Sequence, residues 1–251
     1  MPLTTRDPIT GALALPDNQA RELLQRVHDV AVAGTVVAFD LDSTLLNNAP
    51  RQARIMREYG ESVGVSALTT VEARHWNGWD LRIPMRNVGL DEAAVDAHTD
   101  PFKDFWRERF FTSEYCVSDV PIAGASAFVN AVAAKGALVC YVTGRHEPMR
   151  AGSAKSLGDN GFPAPNGDDT RLIMKPDLAE TDDDYKLRIY ATLRELGDVV
   201  AAFDNEPAHI NGYGAAFPDA LSVHLATDHS MREIRVAEHL PSIADFSSWL
   251  D

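Results

Sequence analysis

Five runs along the chain are apolar with little alternation: TVVAFD (35–40), ALVCYVT (137–143), RLIMK (171–175), VVAAFD (199–204) and ALSVHLAT (220–227). A strand that shows no polar face is covered on both faces, the usual condition of parallel sheets. Between the runs, apolar residues return at a helical period. The stretch DNQARELLQRVHDVAVAG opens on an N-cap candidate at Asp17, sets Leu23, Leu24, Val27 and Val30 or Ala31 along one face, and stops at Gly34. Further helices are predicted over 124–136, 148–157, 182–197 and 206–215, with a last helical segment after the final run. Short buried strands alternating with amphipathic helices predict an α/β fold, a parallel sheet with helices on both faces.

The alternation fails after the first run. Residues 46–119 read as mostly helical, most clearly in APRQARIMREYG and DPFKDFWRERFF, and hold every tryptophan except Trp249. An insertion directly after the first strand is placed to lie over the carboxyl edge of the sheet, where open α/β sheets bind their ligands. The expected organisation is a core domain of residues 1–45 and 120–251 with a small helical cap, 46–119, set into it. The patch LGDNGFPAPNGDD is expected to be an ordered loop rather than a linker.

Charge narrows the partners. A formal net charge of −14 repels polyanions, so nucleic acid and anionic membrane surfaces are poor candidates, and any phosphate must meet local positive charge. No apolar run approaches the ~20 residues of a membrane span, and no signal-peptide pattern opens the chain. Cys116 and Cys140 have no metal-type spacing, and Cys140 lies in an apolar run; a reducing, cytoplasmic setting is expected. The histidines form no HxxxH or HExxH pattern, GSAKS lacks P-loop spacing, and GYGAAF lacks the last glycine of a dinucleotide fingerprint.

The first run ends in candidate chemistry. Asp40 and Asp42 straddle its end, and residues two apart on a strand project to the same side, roughly 6–7 Å apart. Behind VVAF they are partly desolvated, and two close anions there require a cation or a shared proton. Mg²⁺, which takes carboxylate, carbonyl and water oxygens, meets that requirement. VVAAFDNEP supplies a second carboxylate-ended strand, with Asn205 and Glu206 following Asp204. LVCYVTGR ends in Thr143, Gly144 and Arg145 where a helix is expected to begin, a place whose hydroxyl and free N–H groups suit phosphate oxygens. Lys186, near the start of the helix before the Asp204 strand, offers a cation for an anionic transition state; Lys175, in IMKPD, is the rival lysine. In the insertion, RHWNGWDLRIP gathers Arg74, Trp76, Trp79 and Arg82, a combination suited to a leaving group. Asp182, Asp183 and Asp184 read as a solvated helix start, and His224 and His229 as structural.

DxDxT after an apolar strand, then Thr-Gly-Arg, then a lysine helix, then Asp-Asn-Glu, in this order from residue 36 to about 207, resembles the haloacid dehalogenase superfamily of phosphotransferases. The spacing suits that family's C1-type cap. The resemblance implies a Rossmann-like core and Mg²⁺-dependent chemistry through an aspartyl-phosphate. It implies Asp40 as nucleophile and Asp42 as general acid and base, with a pKa nearer working pH than that of a free aspartate. Asp40, Asp204 and the Asp42 carbonyl would surround Mg²⁺, with Thr143, Gly144 and Lys186 on the transferring phosphoryl group. Many members carry a second aspartate where Asn205 stands, which leaves Asn205 or Glu206 to complete the metal shell. The family's pattern fits Lys186 better than Lys175, and Arg145 stands equally as a substrate contact or as the partner of an acidic neighbour. The function expected is hydrolysis of a small phosphorylated metabolite. A phosphomutase would use the same residues, a phosphate-binding module without turnover the same fold, and a dehalogenase would need neither metal nor Asp42.

Overall fold

Within the first apolar run, Val37 and Phe39 enter one buried apolar layer and Val36 and Ala38 the other, which is why the run shows no polar face. The computed structural model describes residues 6–76 and 78–250. Helix α1 (Asp17–Val30) leads into β1 (Thr35–Phe39), followed by β2 (Leu46–Asn47), α2 (Ala49–Val63), α3 (Arg82–Asn87), α4 (Glu92–Phe110) and β3 (Val120–Pro121). The alternating part then runs α5 (Ala125–Ala134), β4 (Leu138–His146), α6 (Arg150–Asp159), β5 (Thr170–Lys175), α7 (Asp182–Leu196), β6 (Asp198–Asp204), α8 (Pro207–Ala216), β7 (Leu221–Leu225) and β8 (Ser242–Ile243). The main sheet has the order β5-β4-β1-β6-β7-β8, every neighbouring pair parallel. This is the expected α/β class, a Rossmann-like parallel sheet between helical layers.

Leu23, Leu24 and Val27 of α1 and Phe128, Val129 and Val132 of α5 pack on one face of the sheet; Tyr185, Ile189 and Leu193 of α7 with Ile210 and Tyr213 of α8 pack on the other. The segment between β1 and α5 builds a third apolar cluster of its own, including Met56, Tyr59, Trp76, Met85, Val95 and Phe102. Where the chain leaves for that segment and where it returns, β2 and β3 pair antiparallel, Leu46 opposite Pro121 and Asn47 opposite Val120.

Four local readings are corrected. Asp17 is the first residue of α1 rather than its cap; Pro16 precedes it, without a side-chain cap bond. Helix α2 runs past Gly60 to Val63 and ends where Gly64 takes a left-handed φ of 71°. Strand β4 continues through Thr143, Gly144 and Arg145 to His146, and α6 begins only after a 3-10 turn at Glu147–Met149. Proline is favoured in a first helical turn, so Pro148 sets the helical start there and leaves Thr143 and Gly144 extended, not at a helix N-terminus. After β7 the expected helical segment is an irregular stretch over 226–241 that ends in β8 and a 3-10 turn at Ser247–Trp249. Pro241 lacks the N–H a helix needs, and Ser242 and Ile243 pair with β7 instead.

Candidate active site

Phe39 and Phe203 face each other in the β1–β6 register and stack with 4.9 Å between ring centroids. The residues that follow them, Asp40 and Asp204, therefore leave the carboxyl edge of the sheet side by side. Lys186 reaches them from α7, and its Nζ donates to Asp40 Oδ1, Asp204 Oδ2 and the Val142 carbonyl, each at 2.8 Å. Lys175 does not reach this point: its Nζ donates to Asp182 Oδ1 at 2.6 Å and to the Glu180 carbonyl at 3.0 Å.

Two buried carboxylates thus share one ammonium, and their protonation diverges. Burial is the largest influence on Asp40 and pushes it up to about 7, Lys186 opposing and Asp204 adding to the rise. At Asp204 burial also acts upward, but Lys186 and then His209 outweigh it and hold the carboxyl well below the usual range. Burial likewise works against the charge of Lys186, and the Asp204 and Asp40 carboxylates more than offset it, so the lysine stays protonated.

The loop after β1 sets Asp42 apart from this group. The Leu41 carbonyl accepts from Leu45 N at 2.9 Å and Leu46 N at 2.8 Å, Ser43 takes a left-handed φ of 61°, and the Thr227 hydroxyl donates to the Ser43 carbonyl. Asp42 is turned into a pair of guanidinium groups. Arg145 Nε donates to its Oδ2 at 2.8 Å and Arg145 Nη2 to its Oδ1 at 2.7 Å, while Arg51 Nη2 donates to Oδ1 at 2.7 Å. Asp119 completes the cluster, 2.6 Å from Arg145 Nη2 and 3.0 Å from Arg51 Nε. Burial acts to raise Asp42, but Arg145 and then Arg51 outweigh it and hold the carboxyl well below the ordinary value. This is opposite in sign to the raised pKa expected of a general acid, and its cause is the two arginines. Of the two readings of Arg145, its contacts here are those of a partner to acids.

Around these groups lies a cavity of about 650 Å³ between the sheet edge and the inserted segment. Thr143 and Gly144 line it beside Asp40, and the β4–β5 register jumps from Thr143↔Met174 to His146↔Lys175, so Gly144 and Arg145 bow out of the ladder toward it. A Cβ on Gly144 would stand 2.8 Å from Asp182 Oδ1, closer than ordinary contact allows. Asn205 and Glu206 line the cavity as well, each already engaged. Asn205 Oδ1 accepts from Thr44 Oγ1 at 3.2 Å and its Nδ2 donates to the Asp228 carbonyl at 2.6 Å; Glu206 accepts from Ser230 N and Oγ, both at 2.7 Å.

A family model for haloacid dehalogenase-like hydrolases matches residues 35–210, the span that contains β1, the inserted segment and the Asp204 strand. The chain belongs to the haloacid dehalogenase-like hydrolases. No curated protein sequence matches this hydrolase. Among solved structures it is similar to Protein Tyrosine Kinase A of Mycobacterium tuberculosis, with a TM-score of 0.52 and 16% identity over 86% of this chain and 96% of that one. It is also similar to CbbY of Rhodobacter sphaeroides in complex with phosphate, with a TM-score of 0.50 and 16% identity over 84% and 94% of the two chains. At such identity the likeness concerns the fold.

Several lining residues of this hydrolase escaped the sequence reading. Asp183, read as solvated, accepts from Arg232 Nη1 at 2.6 Å and lies 2.9 Å from His209 Nε2. Trp106, Phe110 and Phe111 line the cavity with Trp79, whereas Trp76 is buried in the insertion's own core. Arg82 pairs with Asp96, and Arg74 lies 3.0 Å from Glu72; neither lines the cavity. Of the four residues gathered in RHWNGWDLRIP, the cavity takes Trp79.

The donor set is also suited to a hard cation. Asp40 and Asp204 offer carboxylate oxygens side by side, two acids held by the single ammonium of Lys186. Among the described residues, no three His, Cys, Asp or Glu side chains gather closely enough to hold a metal by themselves. Mg²⁺ fits such a site because it keeps several waters and needs only one or two carboxylates.

Proposed function

We propose that this hydrolase is a phosphatase that removes phosphate from a small organic phosphomonoester through an aspartyl-phosphate at Asp40. The observation that carries the reading is the pair Asp40 and Asp204 held by Lys186 at the sheet edge, open to a cavity. Asp40 attacks phosphorus, the ester oxygen leaves, and water then cleaves the acyl phosphate to regenerate the carboxylate. Lys186 supports the transferring phosphoryl oxygens by charge, with Thr143 and Gly144 beside them. Asp40, Asp204 and the Asp42 backbone carbonyl would hold Mg²⁺, which when bound neutralises charge on the phosphoryl group and nucleophile together.

Asp42 protonates the departing alcohol and later takes the proton of the attacking water. For either transfer it must leave the grip of Arg145 and Arg51. Arg51 rides on α2, so a shift of that helix away from the sheet withdraws one of the two guanidinium groups, and Arg145, which holds both oxygens of Asp42, must release it as well. Residues 46–119 act in this reading as a C1-type cap over a core of 1–45 and 120–251, and phosphorylated metabolites place the protein in the cytoplasm.

The test is phosphate release from p-nitrophenyl phosphate with Mg²⁺ and with EDTA, by the wild type and by Asp40→Asn. Release that needs the metal and falls at least about 10³-fold in the variant is the expected result. Undiminished activity in Asp40→Asn would sink the proposal.

A further inference from the structure

We propose that the substrate is the monophosphate ester of an uncharged alcohol that carries an aromatic ring. The inference rests on the phosphatase reading and concerns what fills the rest of the cavity. One stretch of the cavity wall is aromatic. Trp79, Trp106, Phe110 and Phe111 line it, and these rings brace one another: Trp106 stacks on Phe110 at 4.5 Å, Trp79 meets Phe110 edge-on at 5.7 Å, and Phe111 meets Trp106 edge-on at 5.4 Å. Arg51 holds the same wall from behind, its guanidinium carbon 4.0 Å from the Phe110 ring centroid and its Nη1 donating to the Phe110 carbonyl at 3.1 Å. A ring lying against such a surface gains apolar burial and the edge-to-face or offset contacts that aromatic pairs favour.

Charge selects against the alternatives. The cavity lining holds the acids Asp40, Asp42, Asp182, Asp183, Asp204 and Glu206 but only three constant cations, Arg145, Lys186 and Arg232. Each cation is already paired: Arg145 with Asp42 and Asp119, Lys186 with Asp40 and Asp204, and Arg232 with Asp183. A second phosphate or a carboxylate on the leaving group therefore meets surplus negative charge and no unengaged cation, an arrangement that rejects it. A neutral aromatic group meets only the wall.

The inference is tested with three phosphomonoesters under Mg²⁺: 2-phenylethyl phosphate, butyl phosphate and 3-phosphoglycerate. The first two release alcohols of nearly equal acidity, so a difference between them reads recognition rather than leaving-group reactivity. We expect kcat/KM at least tenfold higher for the phenylethyl ester than for the butyl ester, and lowest for 3-phosphoglycerate. In Trp79→Ala, or Phe111→Ala should the first variant fold poorly, the tenfold ratio should shrink to about two. Hydrolysis of all three esters at similar kcat/KM would overturn the aromatic assignment and leave the phosphatase reading standing. A preference undiminished in both variants would also overturn it. Release from none of these and none from p-nitrophenyl phosphate would instead remove the phosphatase reading, and this inference with it.

Discussion

Lys186 decides the electrostatics of the site because it is one cation between two buried acids. Burial pushes Asp40 up to about 7 against the pull of Lys186, ready to bind a proton near neutrality, while Lys186 and His209 hold Asp204 low. A carboxyl raised from its unfolded value near 3.9 contributes stability that is complete below pH ~4 and lost as pH climbs through the folded value. Asp42 and Asp204, both held low, act in the other sense and lose stability only on acidification below about 4. Metal-free Asp40→Asn should therefore melt well above the metal-free wild type at pH 8, a gain on the order of a few kcal/mol, and much closer to it at pH 4. Thermal denaturation in EDTA at the two pH values checks this, and a variant less stable than the wild type at pH 8 contradicts it. The residues of this trio were legible in the sequence because each closes a recognisable element, Asp40 and Asp204 after apolar runs and Lys186 in the first turns of a helix. Arg51 and Asp119 were not: a lone arginine in an amphipathic helix reads as solvent-facing, and only the folded chain shows both side chains fully buried.

Two strands that end in Phe-Asp give more than two acids, because the phenylalanines fix the register that makes the acids neighbours. Phe203 is fully buried, stacked on Phe39 and meeting Phe128 at 5.6 Å and Phe246 at 5.5 Å. Phe203→Ala should cost about 3–5 kcal/mol in urea unfolding, through lost burial and the cavity left behind. A loss below about 1 kcal/mol would mean that the register is held elsewhere. The parallel sheet was readable in advance, since strands without a polar face have one stable setting. The end of the chain was not, because β8 is two residues long and takes its conformation from β7 rather than from local pattern. Nor does the position of Trp79 in sequence distinguish it from Trp76: the two are three residues apart, and one faces the cavity while the other fills the insertion's core.

Across the whole molecule, the acidic surface and the buried charges behave differently. Asp119 is wholly buried between Arg51 and Arg145, whereas Asp96 pairs with Arg82 at the surface. Asp119→Asn should cost about 3 kcal/mol, because two interior guanidinium groups then share one carboxylate, and Asp96→Asn less than about 1 kcal/mol. Guanidinium unfolding of both variants separates the cases; equal losses would show that the interior cluster is no more than a surface pair.

The same cluster bears on how such proteins diversify. Its members come from the loop after β1 (Asp42), the outgoing helix α2 (Arg51), the return just before β3 (Asp119) and β4 (Arg145), so the inserted segment and its host each contribute to a single balance of charge. A chimera that exchanges the segment for one from another member of the family, cut at the antiparallel β2–β3 ribbon, would leave Asp42 and Arg145 in the host while removing Arg51 and Asp119 together. Neutrality would survive that exchange, but a graft that crossed only one of the two strands would not preserve it. Recombination in this lineage is thus expected to move both crossings as a unit, which makes the ribbon a natural seam for building enzymes with new cavities.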